Sequence, residues 1–154
     1  MIEIDSTNSV EDIEAVRTLL LEYETELGVD LGFQGFAAEV MGLPGDYAPP
    51  RGRLLLARVD GAVAGCIALR RLDDDVCEMK RLFVRPAFRN SGAGRQLAER
   101  VIADARSVGY RRMYLDTLPS MDRAQSLYER LGFRDIDAYR HNPISGTRFL
   151  GLQL

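Results

Sequence analysis

Apolar side chains recur along the chain with two different periods, and each period predicts one kind of element. A recurrence near 3.6 residues puts apolar positions on one face of a helix, whereas alternation of apolar and polar residues is typical of a half-buried strand. The helical period is clearest after Ser9, where Ile13, Val16 and Leu20 share one face until Gly28. Four helices are predicted in this way, over residues 10–27, 33–41, 93–108 and 119–131.

The remaining segments are rich in apolar and β-branched residues and are separated by turn residues. The pair Asp60-Gly61 lies between two such segments and predicts a hairpin. Because a predicted helix of about four turns separates the strand ending at Val84 from the next one, those two strands can lie parallel. Seven strands are predicted, over residues 2–4, 54–59, 62–72, 76–84, 111–116, 133–139 and 147–154. The element order β-α-α-β-β-β-α-β-α-β-β predicts an α+β fold of the three-layer α/β/α type, with a mixed, mostly antiparallel sheet.

Size and composition limit the domain organisation and the location of the protein. A chain of 154 residues, 46% hydrophobic and 28% charged, has the make-up of one ordinary globular domain, so we expect residues 1–154 to form a single domain. The longest apolar stretch, residues 61–69, is far shorter than the ~20 residues that cross a bilayer. The first residues carry acids and lack the pattern of a signal peptide. We therefore expect a cytoplasmic protein with no membrane partner.

Cysteine and histidine usage argues against a metal site and against a catalytic thiol. Cys66 and Cys77 lie in apolar segments without a CxxC motif, and His141 is the only histidine of the chain. A thiol nucleophile needs a partner base, and no histidine is near either cysteine in the sequence. We therefore expect two buried structural thiols and no metal.

The charges are distributed unevenly between the two parts of the chain. Residues 1–50 carry 11 acidic side chains and one basic one, whereas the remainder carries 12 acidic and 19 basic ones. All basic residues except Lys80 are arginines, whose planar guanidinium suits phosphate recognition. The alternative is that most of these arginines are ordinary side chains on the solvated surface. No basic stripe interleaved with aromatic residues is present, so nucleic-acid binding is not expected.

One segment combines a strand, a short loop and a helix start in a way that indicates phosphate binding. Gly92 and Gly94 lie where the predicted helix opens, so the backbone amides of its first turn can approach an anion without hindrance from a Cβ atom. The positive end of the helix dipole favours the same ligand, and Arg89 and Arg95 add charge. The alternative is that the glycines only make a tight turn.

At these residues the sequence resembles the GNAT superfamily of acyl-CoA-dependent acyltransferases, whose signature is Arg/Gln-x-x-Gly-x-Gly/Ala at the start of the helix after the fourth strand. The element order matches as well, and the resemblance is most specific over residues 77–133. It implies that acetyl-CoA is the co-substrate. Its diphosphate is expected on Arg89, Asn90, Ser91, Gly92, Ala93, Gly94 and Arg95, its pantetheine arm on the backbone of Leu82, Phe83 and Val84, and further contacts at Ser120 and Ala124. Met121 departs from the asparagine that many members have there, and Ser120 is the candidate substitute.

The resemblance also implies catalytic roles for three residues. Tyr128 matches the tyrosine that protonates the departing CoA thiolate, although Ala124, Leu127 and Leu131 at helical spacing leave a purely structural role open. An amine acceptor must lose a proton before it attacks a thioester. Glu78 on the fourth strand and Asp116 at the end of the fifth are the candidate bases, and for each a surface or hydrogen-bonding role stays open.

These observations predict an N-acetyltransferase that moves an acetyl group from acetyl-CoA directly to a primary amine. The acidic excess of residues 1–50 favours a cationic small molecule as the acceptor. Two alternatives stay open. A nucleotide-binding module would need a third glycine or alanine where Leu97 stands, and a non-catalytic sensor would keep the CoA pocket alone. A homodimer through the C-terminal strands is also left open.

Overall fold

A computed structural model describes residues 1–154 and has one seven-stranded sheet with four helices. The strands lie in the order β1-β2-β3-β4-β5-β7-β6, and only β4 and β5 are parallel neighbours. The predicted α+β class with a mixed, mostly antiparallel sheet is confirmed. The strands are β1 Ile2–Ser6, β2 Arg53–Val59, β3 Ala62–Arg71, β4 Val76–Val84, β5 Arg112–Thr117, β6 Arg134–Asp135 and β7 Arg148–Gln153. The helices are α1 Val10–Leu27, α2 Phe36–Met41, α3 Ala93–Val108 and α4 Asp122–Arg130.

The central strands bury both of their faces, and this produces two apolar clusters. Along β2, Leu55 and Ala57 point to the cluster that also contains α3 and α4, while Leu54 and Leu56 point to the cluster that contains α1 and α2. Alternation of side chains along a strand separates the two sets. The sheet is therefore a middle layer between two layers of helices.

The longest helix has the boundaries that its sequence predicts. The Ser9 hydroxyl accepts a hydrogen bond from the Asp12 amide at 3.1 Å, and Gly28 ends α1 in the left-handed region with φ 65°. Val16, Leu19 and Leu20 of this helix are completely buried against the sheet. No helix of the structure combines the length and the apolarity needed to span a bilayer.

β4 and β5 separate from one another after a short paired stretch, and this separation leaves a gap in the sheet. Their parallel pairing covers only three residue pairs and ends at Glu78 and Tyr114. Farther along β4, its register against β3 shifts by one residue, and Arg81 adopts a positive φ of 62°. Such a bulge bends one strand away from its neighbour. The second half of β4 therefore faces a gap where a paired strand would otherwise lie.

Three predicted elements differ from the structure. The second helix is interrupted because Gly35 adopts φ 68°, so a 3-10 turn over Gly32–Gln34 precedes α2. The last helix begins at Asp122 and not at residue 119, since a turn after β5 comes first. The strand predicted over residues 133–139 keeps only β6, because after the Ile136 amide bonds the Phe149 carbonyl the chain leaves the sheet.

Candidate functional site

The gap between β4 and β5 opens into a small cavity that is closed on the far side by α1, α4 and the loops around them. Its walls combine apolar side chains with a few polar ones. The polar residues that line it are Tyr23, Gln34, Lys80, Arg81, Asp116, Tyr128 and Asn142. A concave site with few, convergent polar groups at the edge of a sheet is the usual form of a small-molecule site.

The backbone at the end of β4 presents hydrogen-bonding groups to this gap. The Arg85 amide donates to the Ala64 carbonyl of β3 at 2.8 Å, so the Phe83 and Arg85 peptide groups point toward β3. Because these groups alternate along a strand, the amides of Leu82 and Val84 point away from β3 and into the gap. The Val84 carbonyl already accepts a hydrogen bond from the Arg89 side chain at 3.0 Å.

The start of α3 lies beside the end of β4. A Cβ atom added to Gly94 would be 3.5 Å from the Val84 side chain, which shows how close the two elements come. Gly92 caps α3 at φ 92° and has no side chain of its own that could bond the amides of the first turn. The Ser91 hydroxyl accepts from the Ala93 amide at 3.2 Å, which orders the loop locally. Free first-turn amides next to an open strand are the arrangement that the glycine pattern predicts.

The charged side chains of this loop bind protein partners and do not converge on one point. Arg89 pairs with Glu26 of α1, and Arg95 pairs with Glu99 at 3.1 Å on the exposed face of α3. Asn90 accepts a hydrogen bond from Arg123 at 3.2 Å. The glycine loop therefore presents backbone amides to a ligand, with the arginines around its rim.

Two further residues that the resemblance gives to the cofactor lie between β5 and α4. Ser120 is exposed in the turn before α4, and Ala124 is half-buried against the core. Met121 lines the cavity, and its sulfur accepts a hydrogen bond from the Thr117 hydroxyl at 3.5 Å. Ser120, and not Met121, is thus the polar side chain at this turn.

Tyr128 of α4 belongs both to the core and to the cavity. Its ring packs edge to face on Phe133, with 5.7 Å between the ring centroids, and the residue is 7% exposed. Burial, together with the neighbouring Tyr23 and Asp116, raises the pKa of its phenol above the ordinary value. The hydroxyl therefore keeps its proton at neutral pH and can donate it to a stronger base within the cavity.

Glu78 of β4 is completely buried and holds three partners. Its carboxylate bonds Arg70 at 2.8 Å, Arg140 at 2.6 Å and the Tyr139 hydroxyl at 2.5 Å. Burial would raise its pKa, but the nearby Lys80 and the hydrogen bonds from Arg140 and Tyr139 outweigh burial and lower it. Glu78 is therefore an ionised anchor whose two oxygens are both occupied.

Asp116 at the end of β5 is the carboxylate that lines the cavity. It accepts a hydrogen bond from the Asn142 side chain at 3.4 Å and lies 3.7 Å from the Arg140 guanidinium. Arg140 thereby links Glu78 to Asp116. Of the two predicted acids, only Asp116 shares the cavity with Tyr128.

The sequence alone did not identify Arg140 or Asn142, which complete this cluster. Both lie in the irregular segment between β6 and β7, where no periodicity marks a position. A carboxylate on a buried strand signals that a cation must be near it. With 20 basic residues in the chain, the sequence does not tell which of them it is.

Two basic residues, Lys80 and Arg81, lie on the cavity wall formed by β4. Arg81 is buried and forms two hydrogen bonds to Glu39 of α2, at 2.8 and 2.9 Å, while its guanidinium covers the Phe36 ring. Lys80 is 8% exposed and donates to the Gln34 side chain at 3.3 Å. Burial and the adjacent Arg81 lower the pKa of Lys80 to about 8.

The acidic side chains of α1 are largely taken up by arginines of the same chain. Glu22 pairs with Arg85 at 2.7 Å, Glu26 with Arg89, and Asp12 with Arg58 at 3.0 Å. Three of the 11 acidic side chains in the first 50 residues are paired in this way. Two of these pairs neutralise arginines of the loop after β4, and Glu39 of α2 pairs with Arg81 on the cavity wall.

The cysteines have the properties of structural residues. Cys66 and Cys77 are completely buried, and burial raises the pKa of each thiol to about 12. Their sulfurs lie 3.5 Å from the carbonyl oxygens of Arg81 and Arg112. No group of three or more histidine, cysteine or acidic side chains is arranged to hold a metal ion.

Comparison with known proteins gives one consistent family. The model of the acetyltransferase (GNAT) family matches residues 13–133. An uncharacterised N-acetyltransferase of Schizosaccharomyces pombe is 36% identical over 99% of this chain and 95% of its own length. The crystal structure of an acetyltransferase from Streptococcus agalactiae superposes with a TM-score of 0.79 at 25% identity, covering 99% of this chain and 98% of that one. A Salmonella typhimurium acetyltransferase structure with its cofactor acetyl-CoA has a TM-score of 0.67 at 20% identity, covering 99% and 93% of the two chains.

Proposed function

The chain belongs to the GNAT acetyltransferase family and is an acyltransferase, and on this premise we propose that it transfers an acetyl group from acetyl-CoA directly to a primary amine. The observation that carries the proposal is the gap between β4 and β5. The cavity at this gap is lined by Leu82 of β4 and by Asp116 and Tyr128, and the glycine-rich start of α3 lies beside the end of β4. A diphosphate bound at the start of α3 would let the acyl group reach a nucleophile in the cavity.

The residues around the gap fit acetyl-CoA. The amides at Gly92 and Gly94 are suited to the diphosphate, because no Cβ atom of either glycine obstructs its approach, whereas the Ala93 amide already bonds the Ser91 hydroxyl. The amides of Leu82 and Val84 are suited to the pantetheine arm and to the thioester carbonyl, whose developing negative charge they would stabilise. When bound, acetyl-CoA supplies an acyl group that is activated as a thioester.

Asp116 is the better placed of the two candidate bases. An amine arrives protonated at neutral pH, and a carboxylate inside the cavity can take that proton, directly or through one water. Glu78 cannot do so without releasing Arg70, Arg140 or Tyr139, so we assign it a positioning role. It holds Arg140, which in turn lies beside Asp116.

Tyr128 is suited to the last proton transfer. As the amine nitrogen forms its bond to the carbonyl carbon, the carbon–sulfur bond breaks and leaves a thiolate. The phenol of Tyr128 keeps its proton at neutral pH and can give it to that sulfur. The nitrogen gives its second proton to the phenolate left on Tyr128, and Asp116 releases its proton to solvent, so the products are an amide and the free thiol of CoA and no other reagent is needed.

Release of free thiol tests the proposal. The purified chain is incubated with acetyl-CoA and a panel of primary amines, and thiol formation above hydrolysis is measured together with the mass of the acetylated product. Binding of CoA without turnover for any amine would favour the non-catalytic sensor. Binding of NAD in place of CoA would favour the nucleotide-binding module.

A further inference from the structure

Lys80 is the one cation of the cavity wall that forms no ion pair with a carboxylate of the chain. Its side chain points into the cavity, and its hydrogen-bond partner is the neutral amide of Gln34 at 3.3 Å. The neighbouring Arg81 is matched by Glu39 through two hydrogen bonds. A buried ammonium without a counter-ion is unfavourable, so the cavity favours a ligand that brings a negative charge.

The acid nearest to Lys80 along the strand is already used. The carboxylate of Glu78 favours the protonated form of Lys80, but both of its oxygens bond other groups. Those groups include Arg70 and Arg140, which are themselves cations. The β4 side of the cavity therefore has a surplus of positive charge that an anion entering from solvent can reduce.

The opposite wall carries the opposite charge. Asp116 of β5 lies there beside Tyr128, and its closest polar partners are Asn142 and, at a longer 3.7 Å, Arg140. The cavity thus has a cationic side on β4 and an anionic side on β5. A ligand with one ammonium and one carboxylate matches both sides, whereas a simple amine matches only one.

We propose that the acceptor is an amino acid, whose carboxylate binds Lys80 while its amine lies on the Asp116 side of the cavity. This inference rests on the proposed acetyl transfer and specifies the substrate class of the same site. It replaces the cationic acceptor that the acidic first 50 residues favour, because none of those acids lines the cavity, and Asp12, Glu22, Glu26 and Glu39 pair with arginines. A diamine would bring its second ammonium close to Lys80 and its cationic neighbours, which is unfavourable.

Matched pairs of acceptors test the proposal on the wild-type protein. Each amino acid of a panel is compared with its own carboxamide, which keeps the amine, the side chain and the size but removes the negative charge. The amine of the carboxamide is the less basic of the two, so its greater unprotonated fraction favours the carboxamide when charge recognition is absent. We expect kcat/KM for at least one amino acid to exceed that of its carboxamide by tenfold or more, with most of the difference in KM.

Variants at Lys80 assign this preference to the ammonium. Lys80→Met, which keeps the length of the side chain, should raise KM for the amino acid about tenfold and leave KM for the carboxamide unchanged. Lys80→Arg should restore part of the preference. The control is Arg106→Met, which removes an exposed, unpaired cation near the end of α3 and should change neither KM. Binding of CoA by each variant, measured by calorimetry, shows that the fold is retained.

The outcomes separate this inference from the proposed function. If carboxamides or diamines are acetylated as efficiently as the amino acids by the wild-type protein, the amino acid acceptor is wrong while acetyl transfer stands. A Lys80→Met variant with an unchanged amino acid KM also refutes the role of Lys80. If no amine of any class releases thiol although CoA binds, the proposed transfer itself fails and the acceptor fails with it.

Discussion

At the scale of single residues, Tyr128 is the group whose surroundings best distinguish a chemical role from a structural one. Its ring fills space against Phe133 and needs no hydroxyl to do so. The residue also lines the cavity together with Asp116, whose charge helps to raise the pKa of its phenol. Packing and chemistry therefore reside in different atoms of one side chain, and a substitution that removes only the oxygen separates them.

Tyr128→Phe should keep the fold and slow the reaction. The apolar ring remains in its place, so the midpoint of thermal unfolding should change by no more than a few degrees. Loss of a general acid typically costs about 10²-fold in rate, and we expect kcat to fall by roughly that factor. Steady-state kinetics of thiol release measures the loss, and calorimetry should give an unchanged Kd for CoA. A variant with wild-type kcat would show that the thiolate is protonated by another group.

Glu78→Gln should act first on stability. The amide cannot neutralise Arg70 and Arg140, and breaking a buried ion pair by removing one partner costs about 3–5 kcal/mol. Urea unfolding monitored by circular dichroism measures this loss. Asp116→Asn, at the cavity surface, is the matched control and should cost clearly less stability while lowering kcat strongly.

The stability difference between wild type and Glu78→Gln should depend on pH, in a direction that the pKa of Glu78 determines. The pKa of Glu78 is lower in the folded protein than its ordinary value, so its carboxylate stabilises the fold above the unfolded pKa. This contribution disappears as the pH falls below about 4.5, the ordinary glutamate range. The stability difference between wild type and Glu78→Gln should therefore shrink in acid. An equal difference at pH 7 and pH 3.5 would contradict the ionised state.

The two candidate acids also show what the sequence can and cannot tell about single residues. Alternation along β4 and the end of β5 predict Glu78 and Asp116 near the same opening; Asp116 lines the cavity, whereas Glu78 is the last β4 residue paired with β5 and is completely buried. The two acids differ because Tyr139 and Arg140, from an irregular segment, bond Glu78. Tyr139 lies 61 residues beyond Glu78 in the chain. Local patterns contain no information about such a contact, so the choice between the acids needed the structure.

At the scale of elements, the glycine loop joins β4 to α3 and depends on close approach. Gly94 lies in the first turn of α3, where its backbone is ordinary helix and a Cβ atom would meet only the Val84 side chain at van der Waals distance. Nothing in the fold itself therefore requires a glycine at this position. The proposed diphosphate would supply a reason for a glycine here, because it needs close approach to the first-turn amides.

Gly94→Ala should for this reason make the protein more stable and weaken its binding of CoA. Alanine is favoured over glycine in a helix by roughly 0.5–1 kcal/mol, which urea unfolding can resolve. The added methyl group stands between the first-turn amides and a diphosphate, and we expect the Kd for CoA to rise about tenfold, equivalent to roughly 1.4 kcal/mol.

Gln96→Ala is the control for this pair of effects. Gln96 is exposed in the same helix, two residues after Gly94, and it should change CoA affinity little. A Gly94→Ala variant with wild-type affinity would mean that the diphosphate does not contact this turn. Calorimetric titration with CoA gives both affinities directly.

Elements bounded by strong local signals were predicted well, and those without such signals were not. α1 and α3 end at Gly28 and Gly109, both in the left-handed region, and their predicted limits are confirmed. The segment 133–139 has strand-like residues, but its last positions do not pair with β7. Tyr139, at its end, donates a hydrogen bond to Glu78 instead. A tertiary contact thus overrides the local preference there.

At the scale of the whole molecule, the order of elements and the handedness of connections determined most of the topology. One helix between β4 and β5 requires a crossover and makes those strands parallel, as found. The bulge at Arg81 was not foreseeable, because a positive φ at an arginine has no marker in the sequence. The gap that defines the site is therefore the part of the fold that sequence patterns leave out.

Lys80 links this gap to the stability of the whole chain across the alkaline range. Its pKa is lowered from 10.5 to about 8 in the folded protein, by burial first and then by Arg81, with smaller effects of Arg70 and Arg140 that Glu78 opposes. Between these two values the unfolded chain binds more protons than the folded one, so this lysine makes the protein more stable as the pH rises. A shift of this size corresponds to about 3 kcal/mol, since one unit equals about 1.4 kcal/mol.

Comparison of wild type with Lys80→Met isolates the contribution of Lys80 to the pH dependence of stability. Tyrosines that also titrate in this range are present in both proteins, so their effects cancel. The methionine variant should be more stable than wild type at pH 7, and its advantage should shrink toward pH 10.5. Urea unfolding at several pH values measures the difference. An amino acid bound with CoA should reduce the variant's advantage at pH 7, because the ligand's carboxylate stabilises the charged form of Lys80 in the wild type alone. A difference independent of pH would mean that Lys80 is solvated as an ordinary surface lysine.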